Sequence, residues 1–167
     1  ALGNAWFVSD YKIVANADEE IAALKGIDPE NEAIIDTRFS EFVNGKKFQK
    51  DQSGNIVLTE YEPNYLKYSA KSNAEQLAVF SDIYYENGWN AYIDGKKAPH
   101  FRVDYILRGM VLPSGEHTVE FKFHPKSYYI GNQVSLASSL LLLLAIAGFA
   151  YSEYRKKSKK EVSTSEK

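Results

Sequence analysis

Between Lys126 and Glu153 the chain carries no charged residue, and the run Val134–Tyr151 reads VSLASSLLLLLAIAGFAY. As a helix, residues 131–151 would be roughly 31 Å long at about 1.5 Å per residue. That matches a bilayer hydrocarbon core of about 30 Å. Tyr128 and Tyr129 stand at one end of the run, Tyr151 and Tyr154 at the other, as expected of aromatic residues at two membrane–water interfaces. Arg155, Lys156, Lys157, Lys159 and Lys160 follow at once. Such a cluster beside a span marks the cytoplasmic side. The sequence therefore predicts an extracytoplasmic domain over 1–127, a transmembrane helix with aromatic flanks over 128–154, and a basic, disordered cytoplasmic tail over 155–167. A buried core helix is the competing reading, but about 18 or more uncharged residues in a row argue for a span.

What precedes the span must fold without covalent staples, because the 167 residues include no cysteine. Disulfides and thiolate metal sites are excluded together. About 120 residues suffice for one core. Aromatic residues make up 14% of the chain, and these side chains suit half-buried pleated surfaces, so a sheet-rich domain is expected. The net charge is −2 and the basic residues cluster only after the span, which gives no footprint for nucleic acid.

Ala5–Val8 (AWFV) and Tyr11–Val14 (YKIV) read as short strands. Asn16 with Glu19 three residues on makes a helix-start pattern, Ile21 and Leu24 offer it an apolar face, and Gly26 with Asp28-Pro29 ends it. Ala33–Ile35 is a short buried strand, so the opening is β-α-β in character. Residues 37–54 are polar and turn-rich. Strands then recur at Ile56–Tyr61, Tyr65–Tyr68, Leu77–Phe80, Trp89–Ile93, Ala98–Val103, Tyr105–Leu112 and Thr118–Phe123. Leu77–Phe80 is continuously apolar and reads as a central strand. Asp94-Gly95 signals a type I′ hairpin, and strict alternation puts Val119, Phe121 and Phe123 on one face. The pattern predicts a mainly β, α+β fold: an antiparallel β-sandwich with one N-terminal helix, followed by a single transmembrane helix.

Motifs for catalysis are lacking. His100, His117 and His124 form no metal-ligand spacing, and the latter two read as solvent-exposed. Asp51–Asn55 reads as a turn rather than a calcium loop, and no nucleophile elbow or phosphate loop occurs. No cofactor, metal site or catalytic residue is assigned. Tyr84, Tyr85, Trp89 and Tyr92 cluster about the Asn87-Gly88 turn and admit two readings. One is an aromatic sugar platform. The other is a sandwich core with Trp89 at its centre, leaving Tyr85 and Tyr92 on the exposed parity. Arg102 and Arg108 could hold a phosphate or uronate or pair with Asp82 or Asp104. The candidate ligand-binding set is Tyr85, Tyr92, Arg102 and Arg108. In the span, Ser135, Ala137, Ser138, Ser139, Ala145, Ala147 and Gly148 permit close packing against other helices.

Three stretches together resemble one family: AWFV followed by DEEIAAL, then SDIYYENGWNAYIDGKKAP, then RVDYILRGMVLPSGEHTVEFKFHPKSYYIG leading into the span. They are similar to the C-terminal end of the YfhO family of bacterial polytopic membrane proteins. The most specific part runs from Gly88-Trp89 through Asp94-Gly95 and Arg108-Gly109 to Pro113-x-Gly115-Glu116-His117. One departure is Asn87, where family members often have Pro, which makes that turn less rigid. The family in turn looks like C-superfamily glycosyltransferases, membrane enzymes that use polyprenyl-phosphate sugars. Their acidic catalytic residue lies in an early outer loop outside this chain. The resemblance implies an accessory domain and anchor of such an enzyme in the bacterial cytoplasmic membrane. Its implied partners are the lipid bilayer, the remaining transmembrane bundle and a glycan or polyprenyl-linked sugar. It also accounts for export of a chain that opens Ala1-Leu2-Gly3 without a signal sequence, as the C-terminal piece of a longer membrane protein. The alternatives are a structural or protein-contact domain without a ligand, or a singly anchored carbohydrate-binding protein whose signal peptide was removed.

Overall fold

The computed structural model describes residues 2–49 and 51–165, with side chains as far as Arg155. It divides into a sheet-rich unit, Ala1–His124, and a helical unit, Pro125–Lys167. In the sheet-rich unit the strands are β1 (Ala5–Val8), β2 (Asp10–Val14), β3 (Glu32–Asp36), β4 (Asn55–Glu62), β5 (Tyr65–Ser72), β6 (Gln76–Ile83), β7 (Trp89–Ile93), β8 (Lys96–Ala98), β9 (Phe101–Val103), β10 (Leu107–Leu112) and β11 (Gly115–Phe123). Helix α1 is Ala17–Ala23, and 3-10 turns cover Leu24–Gly26 and Thr37–Phe42. Helix α2 is Lys126–Ser165.

The strands form a four-stranded antiparallel sheet, β1-β6-β10-β9, and a five-stranded antiparallel sheet, β4-β5-β11-β7-β8. The two pack face to face over Phe7, Leu66, Tyr68, Phe80, Met110, Val119 and Phe121. Phe80 sits edge-on to both Tyr68 and Phe121, each centroid pair 4.9 Å apart, the arrangement aromatic quadrupoles favour. The expected sandwich is therefore present, with a third layer added. β2 and β3 pair in parallel and, with the 37–42 turn, cover the other side of the four-stranded sheet through a second core of Val8, Ala33, Ile35, Leu77, Val79, Phe101 and Val103. Because β6 is buried on both faces, Gln76–Phe80 is apolar with no alternation after the first residue, as strands covered on both sides are. β5 faces the core on one side only and alternates strictly, with Leu66, Tyr68, Ala70 and Ser72 turned in.

The β-α-β opening forms as expected, β2 and β3 being the parallel pair that α1 connects. Asn16 caps α1 by accepting from the Glu19 N–H at 3.0 Å, and Glu19 reaches back to the Ala15 N–H at 3.1 Å. The buried face of the helix is not the expected one. Ile21 is exposed and Glu20 is fully buried, because Glu20 meets Arg102 and a backbone N–H below it.

Two strand boundaries also differ. The expected strand Ala98–Val103 is cut in two, β8 joining the five-stranded sheet and β9 the four-stranded one. Pro99 falls at the cut, where a residue without an N–H cannot continue a ladder. β10 starts at Leu107 rather than Tyr105, because Asp104 and Tyr105 turn the chain with φ of 50° and 71°. The Asp94-Gly95 hairpin forms as expected, with φ of 50° and 76° between the partners Ile93 and Lys96. The Asp94 carboxylate accepts from the Thr118 N–H at 2.8 Å and lies 2.7 Å from His117 Nδ1. His117 is thus held rather than freely exposed, and this contact keeps its pKa above the usual imidazole value.

In α2, Lys126–Arg155 is long and apolar enough to cross a membrane, and none of its apolar stretch is buried within the structure. The Ser138 and Ser139 hydroxyls donate to the carbonyls of Val134 and Ser135, so neither is left without a partner in an apolar setting. The helix continues to Ser165, where a disordered tail is expected from the sequence; no proline or glycine after Gly148 interrupts it. The side chains of the basic cluster beyond Arg155 lie outside the described residues.

Candidate functional site

The 37–42 turn, the 84–90 segment and the crossover from β8 to β9 enclose a cleft of about 360 Å³. Its construction begins at Asp36. That carboxylate accepts from the Arg38 N–H at 2.9 Å and from the Arg38 side chain at 3.0 and 2.8 Å, which starts the 3-10 turn. The Arg38 contact, opposed by burial, holds the Asp36 carboxyl below its usual pKa. The turn presents Phe39 and Phe42. Phe42 stacks on Phe101, 5.1 Å away and nearly parallel. Phe101 can lie there because its neighbour across the ladder is Gly109. A Cβ on that glycine would stand 2.5 Å from Val103 and 3.0 Å from the Phe101 ring.

The opposite wall is Tyr84 and Trp89. Tyr84 meets Phe39 edge-on at 5.6 Å and tilts against His100 at 5.3 Å. Trp89 follows Gly88, whose place also admits no side chain: a Cβ would fall 2.3 Å from Phe123 and 2.5 Å from Tyr85. Trp89 is half-buried at the end of the inter-sheet core rather than at its centre. His100 lies at the crossover and lines the cleft. Burial, followed by the charges of Arg108 and Lys97, lowers its pKa to about 4, so the ring is neutral near pH 7. Its Nε2 is buried with no hydrogen-bond partner among the described residues. Glu41, Glu86 and Lys97 ring the opening with exposed side chains.

The four residues singled out from the sequence are not brought together. Arg108 is only 2% exposed. Its guanidinium lies between Trp89 and Phe121, 4.3 and 4.9 Å from the ring centroids, and its Nε donates to the Ile83 carbonyl at 2.9 Å. Burial lowers its pKa, with Asp82 and Tyr68 opposing, yet an arginine stays cationic under such a shift. Arg102 is committed to Glu20 at 2.6 Å, with Asp36 at 3.5 Å. Tyr92 pairs with Glu120 on the outer face of the five-stranded sheet, beneath the Lys122 ammonium. Arg108 contacts the inner face of that sheet through Phe121, so the two face apart. Tyr85 is half-exposed at a turn, its ring stacked on Phe123. Both arginines therefore serve the fold rather than an anion, with Glu20, Asp36 and the Ile83 carbonyl as hydrogen-bond partners where the sequence offered Asp82 or Asp104.

The cleft uses the other parity of the aromatic cluster, Tyr84 and Trp89, together with Phe39, Phe42 and His100. Sequence reading passed over 37–42 as a polar turn. The signal it held was Asp36-x-Arg38 as a turn start, with Phe39 and Phe42 three apart.

The family model described as "Bacterial membrane protein YfhO" matches residues 36–135, more than half of the chain, and these include every residue that lines the cleft. The chain belongs to the YfhO family. An "Uncharacterized protein YfhO" of Bacillus subtilis (strain 168) is 25% identical over 116 residues, covering 70% of this chain. The chain spans 13% of the length of that YfhO relative. No solved structure matches it.

Proposed function

We propose that this YfhO-family chain is the extracytoplasmic accessory domain and membrane anchor of a protein that transfers sugars from polyprenyl-phosphate donors, and that the cleft holds a neutral saccharide of that reaction. The observation that carries the reading is the cleft: aromatic walls beside a neutral histidine, with both signs of charge at the rim. Ring surface at Trp89 and Tyr84 suits the apolar faces of a pyranose. A sugar hydroxyl both donates and accepts, so it can meet either sign of charge at the rim. The rim argues against an anionic ligand. Arg38 is engaged by Asp36, which leaves two carboxylates, Glu41 and Glu86, against one ammonium, Lys97.

The basic cluster after the span supports placing residues 1–127 outside and the C-terminus inside. With no native cysteine, Ser53→Cys should react with an impermeant thiol reagent in intact cells and Ser163→Cys should not; the reverse pattern would refute the topology. The function is tested in the full-length protein. Tyr84→Ala and Glu86→Gln should lower sugar transfer, Glu86→Gln without moving the denaturation midpoint of the outer domain. Unchanged transfer in both would remove the cleft from the reaction.

A further inference from the structure

Five large apolar side chains that the sheet-rich unit leaves exposed gather at one end of the sandwich. Tyr61, Ile83, Tyr85, Tyr105 and Ile106 are each between 37% and 71% exposed. Their loops are knitted together by backbone hydrogen bonds. The Tyr84 N–H donates to the Ile106 carbonyl at 2.8 Å, and Arg108 Nε to the Ile83 carbonyl at 2.9 Å. The Phe123 N–H donates to the Asn64 carbonyl at 2.9 Å, and the His124 N–H to the Gly88 carbonyl at 2.7 Å. The 61–65 and 83–88 segments therefore flank the last residues of β11, and the 104–107 segment joins them through the Tyr84–Ile106 bond. The opposite end of β11, where Gly115 pairs with Ser72, belongs to other turns.

Exposed apolar side chains scattered singly need no explanation, but several brought to one end of a domain point to a contact surface. This group has another property on the page. The end that bears it is the end at which the chain leaves the domain, and only His124 and Pro125 separate β11 from α2, whose Lys126–Arg155 is able to cross a membrane. The residue types also fit one occupant. Tyrosine rings favour the headgroup level of a bilayer, as the tyrosines flanking the span do, and isoleucine gains by leaving water for acyl chain.

We infer that this end of the outer domain is a lipid-contact surface, with Ile83, Tyr85 and Ile106 inserted in the bilayer interface. The inference is independent of what the cleft binds. It gives these exposed side chains a reason that neither the sandwich core nor the cleft supplies, and it places the 83–88 segment, whose Tyr84, Glu86 and Gly88-Trp89 build the cleft wall, at the edge of the membrane.

The absence of cysteine makes the test direct. Single-cysteine variants Ile106→Cys, Tyr85→Cys and, as a control at the opposite end, Ser114→Cys are labelled with an environment-sensitive fluorophore. The full chain is reconstituted in phosphatidylcholine–phosphatidylglycerol vesicles. Fold retention is read from tryptophan emission; because Tyr85 also packs on Phe123, Ile106 carries the decision if Tyr85→Cys unfolds. Labels at 106 and 85 should be quenched several-fold more by a lipid bearing a shallow nitroxide than the label at 114, and less by aqueous iodide. Iodide quenching equal to that at 114 would overturn the inference. Protection from both quenchers would also overturn it, showing that protein rather than lipid covers this end.

Discussion

Replacing Asp104 by asparagine should stabilise the sheet-rich domain near neutral pH. Asp104 is 8% exposed. Its Oδ1 accepts from the Ile34 N–H at 2.8 Å and its own N–H donates to the Ile34 carbonyl at 2.8 Å, tying the β9–β10 turn to β3. Burial, reinforced by Glu20 and Glu32 and opposed by the Ile34 N–H, raises its pKa from 3.8 to about 6. A carboxyl whose folded pKa is raised contributes stability that is full below about pH 4 and lost as pH climbs through about 6. Two pKa units at about 1.4 kcal/mol each make the charged form cost about 2–3 kcal/mol at pH 7.5. Asparagine keeps the acceptor, tolerates the φ of 50° and carries no charge. His100 acts in the opposite sense. Its pKa is depressed to about 4, so its contribution is full above about 6.5 and lost on acidification. The two opposed slopes leave the wild type nearly flat between pH 4 and 6. Asp104→Asn should uncover the histidine alone, with stability rising steadily from pH 4 to 6.5. Urea denaturation of the full chain in nanodiscs, followed by tryptophan fluorescence, measures this, because Trp6 and Trp89 both lie in the sheet-rich unit. If the variant is less stable at pH 7.5, or its pH profile parallels wild type, the buried charge of Asp104 is favourable and the reasoning fails.

Other perturbations follow from the same contacts. Glu20→Ala leaves Arg102 and the Tyr105 N–H without their buried partner and should cost about 3–5 kcal/mol in the same assay; a loss below 1 would mean that Asp36 takes over. Gly88→Ala drives a methyl into the Phe123 and Tyr85 rings and should cost about 1–3 kcal/mol, read as a lowered urea midpoint. Gly95→Val forces a β-branched residue to a φ of 76° and should cost about 1–2 kcal/mol, whereas Lys97→Val on the exposed β8 should cost little; equal losses would contradict the turn geometry.

Much of the frame is legible in local sequence. Asp94-Gly95 specified its turn, the apolar run in β6 announced a central strand, and the Asn16–Glu19 pair set the start of α1. What could not be read is what depends on distant partners. Nothing local marks Glu20 for burial, because its partners, Arg102 and the Tyr105 N–H, lie more than 80 residues away. Arg108 looked like an anion donor until Trp89 and Phe121 enclosed it. Alternation in β7 correctly sent Tyr92 outward, yet the cleft formed on the inward parity, where Trp89 reaches the open end of the core. His100 gave no signal because its burial follows from Pro99 ending one strand and the chain crossing to the other sheet.

The central claim is that the cleft recognises a neutral saccharide, and Trp89 can report on it directly. In a Trp6→Phe variant of the full chain, Trp89 is the single tryptophan. Titration with neutral oligosaccharides should shift its emission saturably, and Glu86→Gln should abolish the shift while the urea midpoint stays. Emission unchanged across the titration with folded protein, or a response to uronates and phosphates alone, would contradict the account.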